Sequence, residues 1–150
     1  MGYLLDFIVN NATFTDELPI PKDPIYAIFQ ADGLNESIAT KPIQPQEKIT
    51  WNHPVRAVLN LESLSQAHMY AQLCTLQENP PNKPSPYPIG YARIKLKSFP
   101  VGTPATFSFP LLNPSNTAIT IATMSMTANI TAMIPVVDTS SFAMGIPINR

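Results

Sequence analysis

Apolar and polar residues alternate with period two over much of the chain. In residues 25–31, Ile25, Ala27, Phe29 and Ala31 fall on one face. In 55–61, Val55, Ala57, Leu59 and Leu61 share a face, with Arg56 and Asn60 opposite. In 91–97, Ala92, Ile94 and Leu96 point inward and Tyr91, Arg93, Lys95 and Lys97 outward. In 121–132, Ala122, Met124, Met126, Ala128, Ile130 and Ala132 oppose Thr123, Ser125, Thr127, Asn129 and Thr131. Such alternation predicts antiparallel strands with one buried face. Residues 3–9 ("YLLDFIV") are rich in β formers, 69–76 ("MYAQLCTL") form a nearly continuous apolar run, and 106–109 ("TFSF") make a short further strand. Only 60–68 ("NLESLSQAH") looks helical, and it is too short to be a major element. Many short strands between Pro- and Asn-rich breaks predict an all-β sandwich or barrel.

The pattern stops near position 132. Residues 133–150, "MIPVVDTSSFAMGIPINR", are apolar and interrupted by prolines, and they read as an extended tail. Disordered tails are polar or charged, so Val136, Val137, Phe142, Met144 and Ile146 are candidate partner-binding residues. The rival expectation for this tail is that it folds back along its own domain as an extra strand. Between 77 and 87 the sequence "QENPPNKPSPY" reads as a loop joining two strands, a natural place for a ligand site.

Composition narrows the class. The chain has 150 residues, 17 prolines and 5 glycines, which favours one β domain with stiff loops. Only 13% of residues are charged, about half the globular norm of roughly 25%, so much of the surface is neutral. A net charge of −1 offers no bulk attraction to nucleic acid or acidic membranes. The single cysteine, Cys74, excludes an internal disulfide and sits in an apolar setting, as a structural thiol would. The N-terminus lacks a basic segment and carries Asp6, so it reads as neither a secretory signal nor a myristoylation site. No run approaches the length of a membrane-spanning helix. The expected setting is intracellular and cytoplasmic.

Several segments in order resemble the C2 domain, the β-sandwich module first described in protein kinase C. "LPIPKDPIYAIFQ" resembles that family's first loop and following strand, with Asp23, Pro24, Ile25 and Tyr26 at its Asp-Pro-Tyr-Val positions. "ITWNHPVRAVLNL" carries Trp51 and Asn52 where the family has a Pro-x-Trp-Asn run, and "PIGYARIKLKSFPVG" resembles the strand after its third loop. The resemblance implies an antiparallel eight-stranded β-sandwich over residues 1–132, followed by the tail 133–150. It also implies that calcium-binding members supply loop aspartates. Here Asp23 is present and Asp16 stands near a second position, but the third-loop triplet reads Gln77-Glu78-Asn79, and Tyr87 stands where another aspartate is common. Calcium needs several hard, mostly anionic oxygens, so the expectation is a calcium-independent domain. Asp23 then reads as a turn residue.

Two basic features remain. Lys41 and Lys48, near Glu47, make a weak patch for phospholipid, since each basic residue near an anionic surface contributes only about 1 kcal/mol. Arg93, Lys95 and Lys97 read either as a solvated face that guards an edge or as a contact for an acidic protein surface or lipid. His53 and His68 lie in no catalytic motif, and there is no glycine-rich phosphate cradle. The reading is therefore a non-catalytic structural or adaptor protein, with no cofactor, no metal and no nucleic acid. It would act through protein partners in a larger intracellular assembly, for which the resemblance suggests a ciliary or cytoskeletal setting. The alternative is a peripheral membrane adaptor that binds phospholipid. Trp51 is expected to be buried with its indole N–H bonded.

Overall fold

The computed structural model describes residues 2–79 and 83–133. The strands are β1 (Gly2–Phe14), β2 (Ile25–Ala31), β3 (Ile38–Ala39), β4 (Lys48–Leu59), β5 (His68–Asn79), β6 (Lys83–Lys95), β7 (Ala105–Asn113) and β8 (Asn116–Met133). They form one antiparallel sheet in the order β3-β2-β5-β6-β7-β8-β1-β4. Between β6 and β7 the ladder thins to a single pairing, Tyr91 with Leu112. The sheet curls there into two four-stranded layers whose apolar faces meet. Phe7 of β1 meets Phe29 of β2 edge-to-face, with ring centroids 5.2 Å apart. Leu5, Val9, Ile25, Leu73, Met124 and Ile130 fill the same interior.

The period-two readings of 25–31 and 121–132 are both strands, and the faces read as buried are buried except at Ala132, which is exposed near the end of β8. Other boundaries move, for local reasons. β1 runs on to Phe14 through a bulge at Asn10, which is the extra residue against β8, while against β4 the extra residue lies in β4. A bulge of this kind shifts the side-chain phase by one. Leu5, Phe7 and Val9 are buried before it, and Ala12 and Phe14 after it. β4 starts at Lys48, ahead of the expected 55, and it ends before Leu61. Its irregularity lies opposite Asn10, and there Asn52 has φ +48°. Trp51, expected in the core, is only half-buried, although its Nε1 does donate to the Lys41 carbonyl at 3.2 Å.

Residues 60–68 form turns rather than a helix. A short 3₁₀ turn, η1, occupies Leu96–Ser98 instead. The loop expected over 77–87 is mostly ladder: Gln77 pairs with Ser85, Glu78 with Pro84 and Asn79 with Lys83. Pro84, Pro86 and Pro88 recur at period two, so the donors they lack all belong to one edge of β6. Prolines are tolerated on an edge that bonds to no neighbour, and β7 meets β6 only farther along, at Tyr91. Gly90 marks the crossing between the layers. A Cβ there would lie 2.6 Å from Ile121 Cδ1 and 3.2 Å from Leu111 Cβ, so any larger residue forces Ile121 to shift. The tail residues Val136, Val137, Phe142, Met144 and Ile146 lie outside the described residues.

Candidate functional site

The register of β2, β5 and β6 builds a surface that no single strand contains. On the outward side, Gln72 of β5 lies between Ile28 of β2 and Tyr91 of β6. One step along, Tyr70 lies between Gln30 and Arg93, and then His68 lies opposite Lys95. Two parallel columns result: Tyr91, Arg93 and Lys95 on β6, and Gln72, Tyr70 and His68 on β5. Tyr70, Gln72, Arg93 and Lys95 are exposed, and the His68 and Tyr70 rings lie 6.2 Å apart. The backbone N–H of His68 donates to Asp32 Oδ2 at 2.9 Å, which anchors the start of β5. No outward carboxylate stands among the described side chains of these strands, and neither Arg93 nor Lys95 is in an ion pair among the described residues. Lys97 does not extend the column as expected. β6 ends at Lys95, and Lys97 leaves the strand line in the η1 turn, where it is exposed.

At the far end of this face the character changes. Cys74 lies between Tyr26 and Pro88, and both Cys74 and Tyr26 are buried. Burial pushes the Cys74 thiol up to about 11. Burial also raises the Tyr26 hydroxyl, with the nearby Cys74 adding to the effect. A buried neutral thiol of this kind is unreactive.

The other predicted positions scatter. Asp16 and Asp23 lie in the β1–β2 loop, both exposed. Asp16, Glu17 and Glu47 border one open hollow of about 510 Å³ with Leu18 and Ile20. Among the described residues no group of three or more His, Cys, Asp or Glu side chains is placed to hold a metal ion. Lys41 and Lys48 are exposed near this acidic end. His53 and His68 belong to different layers, on β4 and β5, and do not come together.

On the opposite outer face, formed by β7, β8, β1 and β4, most polar groups bond to one another, although the Asn129 side-chain oxygen is buried there without a partner among the described residues. Arg56 is bound to Asp6 at 2.7 Å, the only ion pair among the described residues. Asn10 Nδ2 donates to Thr127 Oγ1 at 3.0 Å, and Thr127 Oγ1 shares a 2.7 Å bond with Thr106. Ile8, Val58 and Met133 leave sizeable apolar surface on these strands.

Sequence patterning identified Arg93 and Lys95 but missed Tyr70, Gln72 and His68. The run "MYAQLCTL" looks uniformly apolar, yet its second and fourth residues are the amphipathic pair that turns outward. Their alternation was the available signal.

Comparison with solved structures decides the fold. The first C2 domain (domain A) of a plant extended synaptotagmin 1 superposes with a TM-score of 0.70 at 9% identity, over 87% of this chain and 95% of that one. The fold is that of a C2 domain. The paired C2 domains, A and B, of extended synaptotagmin 2 match with a TM-score of 0.60 at 11% identity, over 86% of this chain and 39% of that one. Human GIVD cytosolic phospholipase A2 matches with a TM-score of 0.61 at 12% identity, over 89% of this chain. The chain spans 18% of that enzyme. No protein-family model and no curated protein matches the sequence. At such identities the likeness is one of fold.

Proposed function

We propose that this C2-like chain is a non-catalytic, calcium-independent adaptor that docks an acidic protein partner on the outward face of β5 and β6. The observation that carries the reading is the exposed Arg93–Lys95 column beside Tyr70 and His68, with no ion pair to either cation among the described residues. Charges left unpaired on a surface steer and orient an oppositely charged partner. Aromatic side chains beside them supply contact area at low entropic cost. The setting we propose is a larger intracellular assembly. A ciliary or cytoskeletal location rests on the resemblance alone, and imaging of the tagged chain tests it.

A second reading, a peripheral membrane adaptor, is favoured by Leu18 and Ile20, exposed at 41% and 39% on the loop between β1 and β2. Asp16, Glu17 and Glu47 border the same hollow and oppose approach to an anionic bilayer, so we rank the protein reading first. Co-sedimentation with phosphatidylserine vesicles, with and without calcium, tests the choice. The adaptor reading expects the protein in the supernatant under both conditions. It also expects millimolar calcium to leave thermal melting unchanged, where a site filled at a hundred times its dissociation constant would add about 2.7 kcal/mol. Vesicle binding lost on Leu18→Ser/Ile20→Ser substitution would move the function to the membrane.

A further inference from the structure

We infer that the partner of the β5–β6 face is an extended segment with carboxylates at alternate positions, preceded at the same spacing by an apolar residue. This rests on the adaptor reading and specifies its ligand. Arg93 and Lys95 are two residues apart on one strand, so their Cα atoms stand about 6.6 Å apart along it. An extended chain presents alternate side chains at that same interval. Laid along β6, it sets one carboxylate over Arg93 and the next over Lys95. With the segment running in the same direction as β6, the position two residues before the first carboxylate falls over Tyr91, the next outward residue of the column.

The neighbouring column fits the same occupant. Tyr70 stands directly across from Arg93, and His68 directly across from Lys95, so the segment lies between two rows of side chains. Gln72, across from Tyr91, offers a side-chain amide that both donates and accepts. A helical partner fits less well. It needs an apolar stripe to bury its own, and this face exposes tyrosine, glutamine and cations. The segment's length is bounded at one end, where the chain turns into η1 beyond Lys95. Before Tyr91 the register slips, and the row passes to the buried Cys74 on β5 and the exposed Pro88 on β6.

Three probes are titrated into the isotope-labelled chain: a synthetic peptide with the pattern apolar-x-Glu-x-Glu, a peptide of identical composition with its glutamates adjacent, and phosphatidylserine vesicles. Backbone amide shifts locate binding, and calorimetry measures affinity. The expected result is shifts confined to 68–72 and 91–95. The alternating peptide should bind more tightly than the adjacent-glutamate peptide by about threefold, because one ion pair contributes about 1.5- to 5-fold. Arg93→Glu/Lys95→Glu should lower its affinity on the order of tenfold, and raising salt from about 0.05 M to about 0.3 M should weaken it further. The Arg93→Gln/Lys95→Gln variant, with melting unchanged, checks that the loss is not unfolding. Equal binding of the two peptides at this face would overturn the alternate spacing and leave the adaptor reading standing. Binding of vesicles alone, or of no probe, would overturn both.

Discussion

The two outer faces of the sandwich share one core and one strand geometry, yet they dispose of their polar groups in opposite ways. On β7, β8, β1 and β4, Asp6 holds Arg56, and Asn10, Thr127 and Thr106 bond to one another. On β5 and β6, Arg93 and Lys95 face solvent beside Tyr70 with no carboxylate among the described side chains of the face. Self-satisfied polar groups gain little from a partner, because every new bond replaces an existing one. Unpaired cations have nothing to give up except water. The contrast teaches where to look for binding on a sandwich whose charged content is low: not at the more polar face, but at the face whose charges lack local partners.

The largest expected effect tests whether both faces depend on one interior. Phe29 is fully buried and packs against Phe7 across the layers. Phe29→Ala should cost about 3–5 kcal/mol, enough to unfold a marginal domain and abolish both faces together. Chemical denaturation measures this. If one layer persists by amide exchange, the layers are independent and the comparison loses its common core.

The junction comes next. Gly90→Ala forces a methyl into Ile121 and Leu111 and should cost about 1–3 kcal/mol by overpacking. Its thermal melt should fall while Tyr91, the next residue, shifts its amide resonance. A neutral outcome would mean that β7 and β8 are free to move away from β6.

On the closed face, Thr127→Val removes the nearer of two acceptors of Asn10 and the partner of Thr106. The expected cost is about 1 kcal/mol, read from the melting midpoint. On the open face, Arg93→Glu/Lys95→Glu should leave melting unchanged, because no described side-chain bond is lost. If that double substitution destabilises more than Thr127→Val does, the cations hold the fold together and are not free for a partner.

Cys74 gives a pH test at the covered end of the open face. Its thiol, held up to about 11 by burial, stays protonated in the fold after the unfolded chain's thiol, near 9, has ionised. The unfolded state then binds fewer protons, so its contribution to stability is present below pH 9 and declines as pH rises toward about 11. Cys74→Ala should flatten that decline. Iodoacetamide should leave native Cys74 unmodified and label it in denaturant, as mass spectrometry would show.

Much of the architecture was legible in the chain itself. Period-two alternation marked β2 and the long inward row of β8, because a sheet with one buried face imposes that period residue by residue. The same alternation showed that Arg93 and Lys95 point outward. It failed where phase slips. Asn10 inserts one residue into β1, and Ala12 and Phe14 then point inward on even positions. Local patterning could not show this, because a bulge is defined by the neighbouring strands. It failed again over 83–88, where proline signals a loop. Whether its missing donor matters depends on whether a neighbour stands on that edge. Nor could any window of sequence show that Tyr70 lies across from Arg93 and His68 across from Lys95. Those residues are far apart in the chain, and only the antiparallel register of β5 against β6 brings them side by side. The sequence determined which side chains β2, the end of β6 and the long row of β8 present outward. The tertiary structure decided which of them meet, because cross-strand neighbours are chosen by register and register is set by the fit of the whole buried face.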